Sequence, residues 1–244
     1  MKVLITGVSS GIGNELTKHL IKRGYEVVGI SRNKEKLQSL EKEVNSKRLK
    51  IYPCDVSNYK DVLSVRENLV KSDSLPDIII LCAGIFLNDL KPTYNSQISQ
   101  EVFSTNLFGV FNFIDLFLPS FLKKGKGQFI ALSSISAFRP NKNGVAYSAS
   151  KSALSLSFRG FNLAYQKKNI VFSNISLGPV DTNMWEGKKS FLVANTKKIA
   201  REIEGVIKTR RRNYFIPFFS TLLFRISRVI PDRIYCFLSE KVLK

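Results

Sequence analysis

The sequence predicts an α/β protein with a doubly wound, Rossmann-type parallel sheet of about seven strands, helices on both faces and a C-terminal helical extension. Short apolar runs alternate with amphipathic helical patterns along the chain, which is typical of parallel strands joined by crossover helices. A glycine-rich turn follows the first apolar run. The length of 244 residues fits one domain of this kind. We therefore treat residues 1–244 as a single predicted domain.

The first predicted strand and helix flank the glycine turn. Met1–Ile5 is a short apolar run, and the turn Thr6-Gly7-Val-Ser-Ser-Gly11-Ile-Gly13 follows it. Ile12, Leu16 and Leu20 then recur every four residues up to Gly24, which predicts a helix. Glycines here let backbone N–H groups approach a pyrophosphate at the helix N-terminus, where the helix dipole favours an anion. The predicted contacts to a dinucleotide are Gly7, Ser9, Ser10, Gly11, Ile12 and Gly13.

The later elements alternate in the same way. Predicted strands cover residues 25–30, 49–52, 77–81, 127–132, 170–177 and 214–216. Predicted long helices cover residues 104–122, 146–167 and 196–208. Asn33 is placed to cap a further helix. Ligands of such sheets bind beyond the carboxyl ends of the strands. Candidate site residues that follow strands are Ser31, Arg32, Asp55, Val56, Ala83, Gly84, Ser134, Gly178, Val180 and Thr182.

Tyr147 and Lys151 are the predicted acid–base pair. On a helix, positions four residues apart lie on one face, so the two side chains can meet. A free tyrosine has a pKa of about 10, and a neighbouring ammonium group favours the phenolate. The pair could instead be an accidental spacing on an exposed helix face. Its companions elsewhere in the chain favour a site.

Those companions resemble the motifs of the short-chain dehydrogenase/reductase family. The matching residues are Thr6-Gly7-x-x-x-Gly11-x-Gly13, Cys82-Ala83-Gly84, Asn106, Ser134, Tyr147-x-x-x-Lys151 and Gly178-Pro-Val180-Asp-Thr182. They stand in the family's order from Met1 to about Thr182. Beyond about Gly187 the chain corresponds to the family's variable region. The resemblance therefore implies the fold and the reaction type and leaves the substrate open.

The resemblance implies a role for each catalytic residue. Hydride transfer would link a nicotinamide cofactor with a small-molecule carbonyl or alcohol substrate. Ser134 would hold the substrate oxygen, and Tyr147 would donate or remove its proton. Lys151 would lower the pKa of Tyr147 and bond the nicotinamide ribose, while Asn106 would support a water that relays protons to Lys151. Asn106 lies within a predicted helix, where a polar side chain more often faces solvent or bonds its own backbone, so the family pattern alone selects it.

The residues after the second strand indicate which dinucleotide binds. An NAD site usually places Asp or Glu about 20 residues beyond the glycine turn. Ser31 and Arg32 stand there instead, and a guanidinium can clasp a 2′-phosphate. NADPH/NADP+ is therefore favoured over NADH, although Ser10 is not a basic group of the kind many NADP-using relatives carry in the turn. The resemblance makes Asp55 an adenine contact; as an alternative, Asp55 forms a local turn before Ser57.

Two segments outside the motifs have open roles. Residues 183–194 form a predicted substrate lid with apolar Trp185, Phe191 and Leu192 and basic Lys188 and Lys189. Residues 217–244 form a basic, strongly apolar extension. The extension can cover the cleft or a partner subunit, which we rank first, or lie at a membrane interface. The family resemblance also implies a homo-oligomer, a dimer or tetramer.

Composition limits the remaining classes. The formal net charge is +19, which fits a solvated basic surface, although nucleic acid or anionic membrane also attract such a chain. The interspersed lysines make nucleic acid an unlikely partner. Cys54, Cys82 and Cys236 show no metal-ligand spacing, and no metal site is predicted. Unpaired thiols and an immediate first strand favour a cytoplasmic protein, with peripheral contact at the inner membrane face left open.

Two function hypotheses follow. The first is an NADP(H)-dependent carbonyl/alcohol oxidoreductase acting on a hydrophobic substrate. The second is a protein that keeps the dinucleotide fold for binding or regulation and contacts nucleic acid or membrane through its basic surface. The joint presence of Asn106, Ser134, Tyr147 and Lys151 favours the enzyme, since a binding module needs no such set.

Overall fold

A computed structural model of the chain describes residues 1–139, 144–182, 184, 193–227, 230, 231 and 234. The strands are β1 (Lys2–Thr6), β2 (Glu26–Ser31), β3 (Leu49–Pro53), β4 (Ile78–Leu81), β5 (Gly127–Ser134), β6 (Ile170–Leu177) and β7 (Asn213–Ile216). The α-helices are α1 (Gly11–Lys22), α2 (Lys34–Val44), α3 (Tyr59–Lys71), α4 (Ser96–Phe103), α5 (Gly109–Lys124), α6 (Val145–Ala164), α7 (Thr196–Thr209) and α8 (Phe218–Ser227). A π-helical segment, Ser104–Phe108, joins α4 to α5, and a 3-10 turn, Ile135–Ala137, follows β5.

The described strands form one parallel sheet in the order β3-β2-β1-β4-β5-β6-β7. This confirms the predicted doubly wound class. The chain leaves β1 toward β2 on one side and reaches β4 on the other, so the order reverses between β1 and β4. Ligands of such sheets bind in the crevice at this reversal. The glycine turn after β1 and residues 82–84 after β4 therefore face one another.

Two hydrophobic cores cover the two faces of the sheet. In β1, Val3 and Ile5 belong to one core and Leu4 to the other, because successive strand side chains point to opposite faces. Helices α1, α2 and α7 cover the first face, and α3, α5 and α6 cover the second. Aromatic rings dominate the second core, where Phe129 stacks on Phe172 with centroids 5.1 Å apart. Both faces are thus closed to water, and the strand ends remain available for a site.

The helix predicted for residues 104–122 begins earlier than expected. The helical run starts at Ser96, and the Asn95 side chain accepts the backbone N–H groups of Gln97 and Ile98. That capping signal was missed in the sequence. The run Ser96–Lys124 spans 29 residues, and an 18-residue window within it has a mean hydropathy of 1.3, enough by length and composition for a membrane span. Phe113 and Phe117 are fully buried against the sheet, so this is a core helix.

Other boundaries shift by a few residues. The helix predicted for 146–167 ends at Ala164, because residues 165–169 turn back into β6 through Asn169 at φ 50°. Strand β5 continues to Ser134, which pairs with Leu177 of β6. Helix α3, capped by Asn58, was not predicted. The predicted cap of α2 is confirmed, since Asn33 Oδ1 accepts the Lys36 N–H at 2.8 Å.

The C-terminal extension begins with α8, which packs on the chain itself. A Cβ on Gly178 would lie 2.8 Å from Ser220 Oγ, so α8 closely approaches the loop after β6. Phe138, just past the 3-10 turn, lies against Phe215 with ring centroids 6.0 Å apart. The extension's first part thus lies beside the cleft. Most of the predicted lid, including Trp185, Lys188, Lys189, Phe191 and Leu192, and the extension beyond Ser227 except residues 230, 231 and 234, lie outside the described residues.

Candidate active site

The glycine turn has a geometry that only glycine permits at two positions. Gly7 has φ +74°, and a Cβ there would lie 2.9 Å from the Ala83 Cα atom. A Cβ on Gly13 would lie 2.4 Å from the Gly7 carbonyl oxygen. The Gly7 N–H donates to the Ile30 carbonyl at 2.8 Å, which fixes the turn on β2. The backbone is therefore bare where the first turn of α1 faces the crevice, as a phosphate-binding turn requires.

A cleft of about 250 Å³ opens from this turn. It extends from Arg32 at one end to Tyr147 and Lys151 at the other. The predicted site residues that line it are Gly7, Ser9, Ser10, Gly11, Ile12, Gly13, Ser31, Arg32, Val56, Ala83, Gly84, Tyr147, Lys151 and Thr182. Most of the predicted cofactor contacts are thus brought to one cavity, although they come from six different parts of the chain.

Five predicted residues are not among the described lining residues of this cleft: Asn106, Ser134, Asp55, Gly178 and Val180. Asn106 and Ser134 adjoin it, as described below. Val180 forms a bridge with Ala194, so the two ends of the predicted lid are joined at its base. Gly178 supports α8. Val180 and Gly178 therefore have packing roles in the structure.

Arg32 and Asp55 form an ion pair at the Arg32 end of the cleft. Arg32 Nη1 lies 3.6 Å from Asp55 Oδ2. The other Asp55 oxygen accepts the Ser57 N–H at 2.9 Å and the Ser57 hydroxyl at 2.7 Å. Burial raises the pKa of Asp55, but the Ser57 hydrogen bonds and the Arg32 charge outweigh it and hold the pKa below its usual value. Asp55 therefore makes the local turn that was the alternative reading, and the Arg32 head group remains exposed.

Lys151 is the buried cation of the site. Its side chain is only 6% exposed, and Nζ donates to the Leu132 carbonyl at 2.8 Å. Nζ lies 5.7 Å from the centre of the Tyr147 ring, which confirms that the i and i+4 side chains meet. Burial lowers the pKa of Lys151 to about 8. Desolvation therefore disfavours the ammonium charge of Lys151, and a bound polar group could stabilise that charge.

Tyr147 is a phenol whose environment favours the protonated form. Burial raises its pKa, and a hydrogen bond with the Ser134 side chain acts in the opposite direction. We expected Lys151 to lower this pKa; the structure instead gives desolvation as the larger effect. Tyr147 and Ser134 therefore form a hydrogen-bonded pair with a proton to donate at neutral pH. Ser134 Oγ also accepts the Ser136 N–H at 3.1 Å, which fixes its side chain.

Asn106, which the family resemblance selected, is fully buried, unlike most polar side chains of a helix. It lies in the π-helical segment, where Oδ1 accepts the Ile85 N–H at 2.8 Å and Nδ2 donates to the Ile85 carbonyl at 2.9 Å. A Cβ on Gly84 would lie 3.2 Å from Asn106 Oδ1 and 3.4 Å from Lys151 Nζ. Asn106 therefore clamps the chain after β4 at the level of Lys151. The single wide turn of the π-helix aims this side chain inward.

Asp89 is a functional residue that sequence reasoning missed. This fully buried carboxylate accepts the N–H groups of Val145 and Ala146 at 2.9 and 2.8 Å. Those hydrogen bonds outweigh burial and lower its pKa. A negative charge at a helix N-terminus is stabilising, so Asp89 fixes the start of α6 and with it Tyr147. No local pattern could reveal this, because donor and acceptor are 56 residues apart.

Apolar groups surround the reacting end of the cleft. The Phe86 ring meets the Tyr147 ring edge-to-face with centroids 5.2 Å apart. Cys82, Ile85, Thr105, Leu132, Ser133, Leu177 and Met184 line the cleft and were not predicted. Several of them lie at strand ends or next to predicted site residues, and that position in the sequence could have identified them. Burial raises the pKa of the Cys82 thiol to about 12, so this thiol stays protonated and unreactive.

The described part of the chain contains no cluster of side chains that could bind a metal ion. Across residues 1–139, 144–182 and the described positions beyond, His, Cys, Asp and Glu do not gather in groups of three or more. His19 instead shares a hydrogen bond of 2.7 Å with Glu204.

Residues 1–192 match the family model of the short chain dehydrogenase. The chain belongs to the short-chain dehydrogenase family. Its relatives include an uncharacterized oxidoreductase of Staphylococcus haemolyticus, 34% identical over 183 residues, which are 75% of this chain and 79% of the relative. This family membership makes the chain an oxidoreductase of the short-chain type.

Two solved structures share the fold at low identity. A short-chain dehydrogenase from Streptomyces avermitilis has a TM-score of 0.83 at 19% identity, covering 99% of this chain and 96% of that one. A 4-hydroxyisoleucine dehydrogenase complexed with NADH has a TM-score of 0.77 at 22% identity, covering 88% of this chain and 96% of that one. At these identities the likeness establishes the fold alone.

Proposed function

We propose that this short-chain dehydrogenase transfers a hydride between NADP(H) and a carbonyl or alcohol carbon of a hydrophobic small molecule. The observation that carries the proposal is the meeting of Ser134, Tyr147 and Lys151 at the end of the cleft that the glycine turn opens. A binding protein has no use for a proton-donating phenol at that place. The apolar rim around Phe86 favours a hydrophobic substrate.

The cofactor fits the residues present. Gly7 and Gly13 leave a bare backbone at the N-terminus of α1, which suits a pyrophosphate. When bound, the nicotinamide supplies or accepts the hydride. Arg32 is exposed at the adenine end and offers several donors to a 2′-phosphate, which supports NADPH although a neighbour of the same fold binds NADH. Thr182 lies beside the turn, 3.4 Å from a Cβ placed on Gly11.

The chain's own groups hold the substrate oxygen and move its proton. In reduction, Ser134 and Tyr147 would both bond the carbonyl oxygen, and the Tyr147 hydroxyl would give up its proton as the alkoxide forms. Lys151, at the same end, would stabilise the resulting phenolate by its charge. In oxidation the proton would return to Tyr147. Asn106 holds the loop after β4 in place and so keeps the floor of the site fixed.

Replacing one hydroxyl tests this proposal. We expect Tyr147→Phe to lower turnover by at least about 100-fold, because it removes the proton donor, while NADPH binding stays within about twofold because the ring packing remains. NADPH fluorescence titration and turnover with a panel of apolar ketones would measure both. Tyr59→Phe is the matched control, since Tyr59 is exposed on α3.

The outcomes separate the two hypotheses. Substantial turnover by Tyr147→Phe would contradict the assigned chemistry. If the wild-type protein binds NADPH but neither reduces a carbonyl nor oxidises an alcohol of the panel, that result would favour a binding or regulatory protein of this fold. Equal loss in Tyr59→Phe would point to damage to the fold.

A further inference from the structure

The edge of the sheet opposite the cleft is made by the connections that run from a helix into the next strand. Three of them, residues 125–126, 165–169 and 210–212, lead into the neighbouring strands β5, β6 and β7. Neighbouring strands lie about 4.8 Å apart. The three turns therefore form one continuous strip at the strands' amino ends.

Hydrogen bonds between the turns make this strip rigid. Arg210 Nη2 donates to the carbonyls of Gly127 and Asn169, each at 3.1 Å. The Asn169 side chain donates in turn to the Gly125 carbonyl at 3.2 Å. The Arg212 carbonyl accepts the Asn174 N–H, and the Arg211 carbonyl accepts the Ser173 hydroxyl, both at 2.8 Å. The backbone is fixed while the side chains of the strip point outward.

Together with Lys123, in the last turn of α5, those outward side chains form what we call the basic turn cluster: Lys123, Lys126, Lys167, Lys168, Arg211 and Arg212. All six are exposed, and none has an ion-pair partner within the part of the chain that the structure describes. Two carboxylates of this edge are already engaged, since Asp77 pairs with Lys124 and buried Glu204 pairs with Lys208 at 2.7 Å. The cluster's positive charge is therefore uncompensated and held in place.

The shape of the cluster favours a membrane over nucleic acid. Short turns do not protrude, so they cannot enter a groove of a duplex as a helix or ribbon does. Single strands are usually held by stacking on exposed aromatic rings. Here Tyr165 and Tyr214 are half-buried, and the Tyr214 hydroxyl accepts the Arg211 N–H at 2.8 Å. Leu122, 38% exposed beside Lys123, adds an apolar contact.

We propose that the basic turn cluster docks this protein on the surface of an anionic phospholipid bilayer. Exposed lysine and arginine side chains near such a surface are attracted by its negative potential within about one Debye length. This surface differs from the extension at residues 217–244, because α8 follows the carboxyl end of β7 and so begins at the opposite edge. Docking through the cluster leaves the cleft open to solvent.

Vesicle sedimentation of the full-length protein tests the proposal. We expect it to bind vesicles of phosphatidylcholine and phosphatidylglycerol in equal parts, not phosphatidylcholine alone, and to be released by salt. Reversing four charges, Lys167→Glu, Lys168→Glu, Arg211→Glu and Arg212→Glu, should weaken binding at least about tenfold. The matched control reverses Lys60, Lys91, Lys197 and Arg201, which are exposed elsewhere, and should change binding less than about threefold.

Each result decides the matter. No sedimentation of the wild type with phosphatidylglycerol vesicles would overturn the proposal. Equal loss in both variants would also overturn it, since net charge alone would then explain binding. Binding of the wild type to duplex DNA or polyuridylate without vesicle binding would assign the cluster to nucleic acid instead. Unchanged NADPH titrations in both variants would show that the fold is intact.

Discussion

Burial favours the uncharged forms of Tyr147 and Lys151, which are the phenol and the amine. Burial raises the pKa of Tyr147 and lowers that of Lys151 to about 8. Desolvation disfavours the charged form of both groups, although their charges have opposite signs. Below about pH 8 Lys151 keeps its charge, so a protonated acid lies beside a cation, which suits carbonyl reduction near neutral pH.

We predict opposite pH dependences for the two directions of the reaction. Reduction needs the Tyr147 phenol and the Lys151 charge, so kcat/KM for reduction should hold through neutral pH and fall as the pH rises through about 8, where Lys151 loses its proton. It should fall further as the pH rises through the raised pKa of Tyr147. Oxidation needs the phenolate and should rise over the same range. Initial rates in both directions across pH would measure this. Reduction that already declines below neutral pH, with no alkaline limb, would contradict it.

Arg32 is predicted to set the cofactor preference. Arg32→Gln removes the exposed guanidinium that we assign to the 2′-phosphate, so KM for NADPH should rise about tenfold or more while KM for NADH changes little. Steady-state kinetics with both cofactors would measure the ratio. Lys60→Gln, an exposed lysine at the start of α3, is the control. Equal changes in both KM values would show that Arg32 does not read the phosphate.

At the scale of elements, the sequence predicted the strands and helices that carry the site. It predicted less well the hydrogen bonds that hold those elements in place. The glycine turn and the Tyr147–Lys151 spacing are local patterns, and local patterns determine local structure. Asn106 and Asp89 act across the chain, on Ile85 and on the first turn of α6. Such long-range hydrogen bonds leave no periodic signal, so only the family resemblance selected Asn106, and Asp89 was missed.

Helix α8 depends on a close approach to Gly178. Because a Cβ there would lie 2.8 Å from Ser220 Oγ, we predict that Gly178→Ala lowers the free energy of unfolding by about 1–2 kcal/mol. Adding Ser220→Ala should restore about half of that loss, since it removes the clashing oxygen. Urea unfolding of the three variants would measure this. Additive losses without rescue would show that α8 does not pack on Gly178 in solution.

At the scale of the whole molecule, helix α7, late in the chain, packs against α1, near its start, around one buried carboxylate. Glu204 is 7% exposed and accepts hydrogen bonds from Lys208, His19 and Arg23. Burial raises its pKa, but these partners outweigh it and lower the pKa to about 2. The net charge of +19 indicated a basic protein without revealing that its cations converge here.

The pH dependence of stability tests that junction. The folded pKa of Glu204 lies below its unfolded value of 4.5, so its contribution is complete above about pH 4.5 and is lost as the pH falls toward about 2. Glu204→Gln should therefore lower the free energy of unfolding by about 2 kcal/mol at neutral pH, allowing for exposed partners. Urea unfolding at several pH values would measure it. A deficit that stays constant down to pH 2 would contradict the assignment.

The cleft and the basic turn cluster are built from alternate connections of the same chain. Connections that leave the strands form the cleft, and connections that enter them form the cluster. Because no turn serves both, substitutions in one set leave the other set's backbone untouched. Evolution can therefore change where such an enzyme resides without altering what it catalyses. It can likewise change what the enzyme catalyses without altering where it resides.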